Sequence, residues 1–290
     1  MKYRSLGNAS VDIGEIGLGT EYLSRQSPET IKKTVEFAIS ADINLFDLVF
    51  TFPSFLQAFS EAIEPHHDQV NLTVHIGAGI RNGKYQKIRS LKGAQRAFYE
   101  VLTQLNVDQV DLIAIQNVNS KEYPQIMKQT GLIRFAEELK ETGQAKYLGI
   151  SIHNSILAQQ AISTGKFDFI MSQFNLFAEL NPNRRALIQR CEESQIGFIA
   201  IKPYGGGHLL QAGRKKRVSS YKTGGEPQII KLPKMDSLPT RCLAYILEHA
   251  AITSVIPGAK NIAELQQALD YHGATSQQKD YKPILESIVV

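Results

Sequence analysis

Eight short apolar runs, rich in β-branched and aromatic residues, recur along the chain and are separated by segments whose apolar residues return at helical spacing. The runs are Glu15 to Leu18, Leu45 to Val49, Leu72 to Ile76, Leu112 to Gln116, Tyr147 to Ile152, Phe169 to Phe174, Phe198 to Ile201 and Ser254 to Ile256. Near-continuous apolar runs belong to strands buried on both faces, the condition of a parallel sheet covered by helices. Strands alternating with helices build βαβ units, and eight such units close into a (β/α)8 TIM barrel. Between the runs, Pro28 to Ser40 opens on Pro-Glu and repeats Ile31, Val35 and Ala38, while Arg96 to Leu105 sets Phe98, Val101, Leu102 and Leu105 on one face. With 290 residues, 43% of them hydrophobic, the chain can bury one large core, so an α/β barrel over 1–290 as a single domain is expected.

In such barrels the chemistry is carried by the C-terminal ends of the strands and the loops that follow. Reading each end in turn yields Glu21 and Tyr22, Asp47, His75, Gln116 and Asn117, Ser151 and His153, Gln173 and Asn175, Lys202 and Tyr204, then Lys260. The set is polar and ionisable, as a small-molecule pocket requires, although the rim of any barrel is also polar because it is solvated.

Several of these stretches carry a resemblance. Arg4-Ser5-Leu6-Gly7 followed by Ile16-Gly17-Leu18-Gly19-Thr20, then Asn44-Leu45-Phe46-Asp47, Val110 to Ile115, Tyr147-Leu148-Gly149-Ile150-Ser151 and Ser254 to Lys260 resemble, in order and spacing, the aldo/keto reductase superfamily. The segment Lys202-Pro203-Tyr204-Gly205-Gly206-Gly207 is similar to a Lys-Pro-x-Gly-Gly-Gly branch of it. Some members of that branch add an iron–sulfur module needing four closely spaced cysteines; this sequence has two cysteines in all, so cluster chemistry is not expected.

The resemblance implies a catalytic tetrad of Asp, Tyr, Lys and His, and here the tetrad diverges. Asp47 matches. Phe52 stands where the tyrosine is expected, and no tyrosine occurs between Tyr22 and Tyr85. His75 stands for the lysine and Gln116 for the histidine. Phenylalanine has no proton to donate, and loss of a general acid typically costs on the order of 10² to 10⁴ in rate. His75 beside Asp47 reads either as a replacement acid/base or as a histidine filling the space lysine left. Asp47 reads as its orienting partner or as a cap for backbone N–H groups. Gln116 keeps a donor and an acceptor without titrating. Lys202 is the remaining candidate to help with a proton, and His153 reads as a structural hydrogen-bonder.

The resemblance also implies NADP(H) as cofactor. Ser151 and Gln173 fall where the nicotinamide amide is held, Gly19 and Thr20 end the first strand, and Gly205, Gly206 and Gly207 allow close approach of backbone to a pyrophosphate. Ile201 stands at the ring-stacking position and Gly258 and Lys260 at the adenosine 2′-phosphate, where a lysine favours NADP(H) over NAD(H). Lys260 also reads as a solvated lysine at a helix start, and Gln267 with Ala268 replace the usual adenine contacts.

A net charge of +4 argues against nucleic acid as the main partner. Residues 211–237 concentrate seven basic side chains against Glu226 and Asp236, which makes this stretch a basic loop over the barrel mouth, either closing on an anionic ligand or simply solvated. Cys191 and Cys242 form no metal-binding pattern, and no metal is expected. Without a leader-like start or a spanning apolar run, the expectation is a soluble, cytoplasmic protein acting on a small molecule, with no membrane partner. Three functions compete: an oxidoreductase of altered mechanism, a non-redox lyase, isomerase or cyclase using the same pocket, and a catalytically silent subunit that binds a protein partner, for which Phe50, Phe52, Phe55 and Phe59 would be the apolar patch.

Overall fold

The structure, a computed structural model, describes residues 1–213, 215–219 and 227–288. The chain opens with a hairpin, β1 (Tyr3–Ser5) and β2 (Asp12–Gly14), and then enters the repeating units through β3 (Leu18–Gly19). Helix α1 (Pro28–Ser40) has Ser27 as N-cap and Pro28 at its first position, and the spacing of Ile31, Val35 and Ala38 turns its buried face inward. There follow β4 (Leu45–Leu48), α2 (Pro53–Ile63), β5 (Asn71–Ile76), a second hairpin of β6 (Ala78–Arg81) and β7 (Lys84–Lys87), α3 (Leu91–Leu105) and β8 (Val110–Val118). The second half runs α4 (Tyr123–Ile126), α5 (Leu132–Glu141), β9 (Ala145–Ile152), α6 (Ser155–Ile162), β10 (Phe169–Gln173), α7 (Pro182–Glu193) and β11 (Gly197–Ile201). A third hairpin pairs β12 (Lys215–Val218) with β13 (Gln228–Lys231), and the chain finishes with α8 (Leu238–Leu247), β14 (Ile252–Ile256), α9 (Ile262–Leu269), α10 (Ser276–Lys279) and α11 (Lys282–Ile288).

Strands β3, β4, β5, β8, β9, β10, β11 and β14 form one parallel sheet in that order. Parallel bridges Ile16 to Val255 and Gly19 to Gly258 join its two edges, so the sheet closes on itself and leaves no edge to cover. The eight expected strands coincide with these eight, with shifts of a few residues at their ends. The three hairpins are additional, and none was anticipated.

Period-2 alternation decides which side chains face the barrel axis. Leu45 and Asp47, Thr73 and His75, Leu112, Ala114 and Gln116, and Phe169, Met171 and Gln173 share the inward parity, while Phe46, Leu48, Val74, Ile113, Ile115, Ile150 and Ile170 join the layer between sheet and helices. The lower inward positions are apolar, and Leu6 and Ile13 from the first hairpin complete that cluster and plug the barrel bottom. Arg4 fastens this hairpin, its guanidinium donating to the carbonyls of Leu247, His249 and Ile252 and to Glu15. Gly149 leaves room for Phe169, since a Cβ there would overlap the phenylalanine ring. Higher along the same axis the inward residues become polar, and there the pocket begins.

In the basic segment, β12 and β13 form an antiparallel ladder whose Val218 and Ile230 are buried in the main core. Residues 215–218 and 228–231 are therefore a docked hairpin rather than an open loop. Arg214, Lys222, Gly224, Gly225 and Glu226 lie outside the described residues.

Candidate functional site

At the C-terminal ends of the strands lies a cavity of about 280 Å³ lined by Asp47, His75, Gln116, Ser151, His153 and Lys202 and by the aromatic residues Tyr22, Phe50 and Tyr85. Met171, Ile201 and Ile256 line it with apolar side chains, and Gly19, Gly206, Gly207 and Gly258 with backbone. Five residues proposed from strand ends, Asp47, His75, Gln116, His153 and Lys202, thus stand around one opening.

Asp47 and His75 are both buried, and His75 Nε2 lies 2.6 Å from Asp47 Oδ1. A carboxylate can only accept, so Nε2 carries the hydrogen and donates it, which leaves Nδ1 as the second site; that atom is buried and has no partner. The Asp47 backbone is fixed from the neighbouring strand end: the Thr20 hydroxyl and amide both donate to its carbonyl, at 2.7 and 3.1 Å. Thr20 acts through Asp47 and does not line the cavity.

Gln116 sits where β8 loses its regular register, between Ile115 and Val118, and Asn117 after it takes a left-handed conformation with φ 43°. The irregularity turns the strand end toward the axis, a common device beside active sites. Gln116 Oε1 is buried without a hydrogen bond. Lys202, at the end of β11, is also left-handed (φ 54°), and its carbonyl accepts from Asn175 Nδ2 at 2.9 Å and from the Gly205 amide at 3.0 Å. A non-glycine residue held in that region is strained, and such strain is characteristic of sites that position a side chain. His153 is held well below the ordinary histidine range, at about 3, first by burial and then by the positive charges of Lys202, Arg184 and Lys87. It is neutral at physiological pH and can serve only as a hydrogen-bonding group.

Tyr85 was passed over in the sequence reading. It comes from β7, across the hairpin from Ile80, and enters the cavity wall with its ring edge-on to Phe50 at 4.6 Å. Burial, with smaller contributions from the charges of Asp47 and Glu21, pushes its hydroxyl well above the phenol range, against the opposing effects of the Gln116 side chain and the Arg89 charge. The signal that could have found it is Asn82-Gly83, the strongest short hairpin motif. Both residues take positive φ, 50° and 70°, as a two-residue turn of that kind requires. Phe52, at the position where a tyrosine was expected, is packed against the main core. Phe55 and Phe59 are fully buried, so the aromatic run is not an exposed docking patch.

The residues present fit a nicotinamide dinucleotide. Gly19 and Gly258, bridged side by side, and Gly206 and Gly207, with φ of 66° and 83°, line the cavity. Open space lies where a Cβ of Gly207 would be. Ser151 offers a buried hydroxyl next to its strand partner Met171, and Ile201 also lines the cavity. Gln173, Gly205 and Lys260 are not part of this lining. Gly205 faces Phe177, and Lys260 is half exposed with its Nζ 3.9 Å from Glu264 Oε1.

Residues 13–288 match the model of the aldo/keto reductase family. An uncharacterized oxidoreductase of Bacillus subtilis (strain 168) is 25% identical over 303 aligned positions, spanning 99% of this chain and 96% of that protein. A D-threo-aldose 1-dehydrogenase from a Pseudomonas species is 21% identical over 190 positions, 62% of this chain and 57% of that protein. Among solved structures, an aldo-keto reductase from Bacillus halodurans in its holo form has a TM-score of 0.78 at 20% identity, covering 99% of this chain and 96% of that one.

Proposed function

The chain belongs to the aldo/keto reductase family, and from that premise we propose that it is an NADP(H)-dependent oxidoreductase of small carbonyl compounds in which His75 and Asp47 manage the proton. The observation that carries this reading is the buried 2.6 Å His75–Asp47 contact in the wall of a cavity that glycine backbone also lines.

Asp47 holds the imidazole in one tautomer, with Nε2 donating to the carboxylate and Nδ1 left as the atom that can exchange a proton. Gln116 orients a carbonyl or hydroxyl group without exchanging a proton. Lys202 supplies a fixed positive charge near the oxygen that becomes negative during reduction, and a preorganised charge of that kind acts strongly where water is excluded. Gly19, Ser151, Gly206, Gly207 and Gly258 would hold the dinucleotide, whose reduced nicotinamide supplies a hydride when bound. Thr20 fixes the Asp47 backbone beside that surface, while Gln173 and Gly205 stand outside the cavity lining.

Lys260 gives the preference for NADP(H). Its ion pair with Glu264 is long and solvent-exposed, a pairing that contributes little and is readily exchanged for a 2′-phosphate. NADPH is expected to bind more tightly than NADH in a fluorescence or calorimetric titration, and Lys260→Ala to remove most of the difference, about 1.5–3 kcal/mol for a charge-assisted contact. Equal affinity for both dinucleotides would exclude the preference, and no binding of either at millimolar concentration would exclude the function.

A further inference from the structure

We propose that the carbonyl substrate carries a positively charged alkylammonium group, received in the cavity by the Glu21 carboxylate and the aromatic side chains of Tyr22, Phe50 and Tyr85. The inference rests on the reductase reading above and adds to it the class of substrate that this wall selects.

Glu21 is a half-buried acidic residue in the cavity lining, and its side chain makes no ion pair or hydrogen bond with the described residues. In this it stands apart. Among the described residues, every other buried or half-buried carboxylate has a basic partner: Asp47 has His75, Glu15 has Arg4, Asp111 has Lys146, Glu122 has Arg89, Glu137 has Lys166, Asp168 has Lys140 and Glu179 has Arg185. A charge drawn out of water is costly unless it is paired, so a carboxylate left unpaired in a cavity wall points to a cation from outside the chain.

The rest of that wall suits the same ligand. Phe50 and Tyr85 meet edge to face with their centroids 4.6 Å apart, and the Tyr22 ring lies over Gly258. Aromatic faces attract cations through their quadrupole, and alkylated ammonium groups are recognised by rings of this kind. Phe50 already has the Arg25 guanidinium 5.9 Å from its centroid, from a residue that is not part of the cavity lining. Burial first, and the Glu21 charge in addition, raise the Tyr22 and Tyr85 hydroxyls, which places the carboxylate and both phenols in one field. Lys202, in the same lining, suits the oxygen that becomes negative during reduction, while Glu21 suits a second, positive group on the same molecule. A neutral aldehyde leaves Glu21 unanswered.

The segments that carry these side chains are held in place. In the turn after β3, the Ser24 hydroxyl donates to the Glu21 carbonyl at 3.0 Å and Gln26 Nε2 to the Tyr22 carbonyl at 3.1 Å. Arg89, just beyond β7, donates to the carbonyls of Gly77, Gln116 and Asn117 at 3.0, 2.8 and 3.2 Å and to Glu122. Lys87 donates to the Asn117 carbonyl and to Glu122, each at 2.8 Å. The strand that presents Tyr85 is thereby bolted to the end of β8, so the ring belongs to a preformed wall.

The test uses pairs of molecules in which a quaternary nitrogen replaces a quaternary carbon. Choline and its carbon isostere, neohexyl alcohol, are titrated calorimetrically into the protein with and without NADPH. Choline is expected to bind about tenfold more tightly, or by about 1.4 kcal/mol, and Glu21→Gln to remove most of the difference. Trimethylammonioacetaldehyde and tert-butylacetaldehyde are then compared as substrates with NADPH. The ratio of their kcat/KM values is expected to favour the cation and to fall about tenfold in Glu21→Gln, a comparison in which the aldehydes' own reactivities cancel. Tyr22→Leu, which keeps an apolar side chain without the ring at an exposed position, is expected to lower the ratio about threefold. Equal affinities for choline and neohexyl alcohol, or a preference for the anionic succinic semialdehyde over tert-butylacetaldehyde, overturns the assignment. Turnover of both aldehydes with a ratio that Glu21→Gln does not change overturns it while leaving the reductase reading intact. Choline binding that depends on Glu21, without turnover of either aldehyde, supports the cation site and overturns the reductase reading.

Discussion

His153 and His75 show how one residue type takes two characters within a single cavity. His153 is surrounded by cations and buried, which holds it at about 3, whereas His75 faces a carboxylate. A histidine depressed in the folded state is more readily protonated when unfolded, so the unfolded chain takes up more protons below about 6.5 and stability falls as pH drops from there toward 3. The His153 ring resonances should therefore not titrate between pH 5 and 8 in an NMR series, and His153→Gln should flatten part of the acid loss in a denaturation series. Titration of His153 near 6.5 would mean that the cations do not surround it as described. His75→Ala is expected to lower turnover by about 10² to 10⁴ while NADPH binding persists. Retained activity would move the proton to another group in the wall.

At the scale of elements, the β6–β7 hairpin decides what the cavity can do, and Glu122 decides whether the hairpin stays docked. Burial alone would raise this carboxyl, yet hydrogen bonds from Arg89 and Lys87 and the charge of Arg89 hold it at about 2, below its usual 4.5. A depressed carboxylate contributes stability that is complete above its unfolded value and is lost as pH falls through the folded one. The clamp should thus weaken between about pH 4.5 and 2. Glu122→Gln is expected to raise hydrogen exchange in residues 78–87 at neutral pH and to abolish the acid dependence of that exchange. Unchanged exchange would show that Arg89 suffices through its carbonyl contacts. In the barrel wall, Gly149→Ala places a methyl group into the Phe169 ring. Overpacking of this kind costs about 1–3 kcal/mol, read as a lower denaturant midpoint at constant m value.

For the molecule as a whole, the periodicity of eight apolar runs was enough to determine a closed parallel barrel, because an element that is apolar on both faces has few other ways to leave water. It also determined which strand ends carry polar residues, since inward parity and the C-terminal face follow from chain direction alone. Asp47, His75, Gln116 and Lys202 were legible for that reason. The hairpins were not. Tyr85 is 38 residues from Asp47 in sequence and reaches the same cavity only because a two-residue turn folds β7 back over the mouth. Asn82-Gly83 marks the turn locally, but where the returning strand lies depends on Arg89 and Lys87 finding the carbonyls at the end of β8. The basic segment repeats the lesson, because Val218 and Ile230 are too few to mark a strand pair until a core is available to bury them. Local pattern thus determined which way each strand's side chains point, while the identity of the groups that meet across the cavity was decided by long-range contacts whose free energy exists only once the barrel has closed.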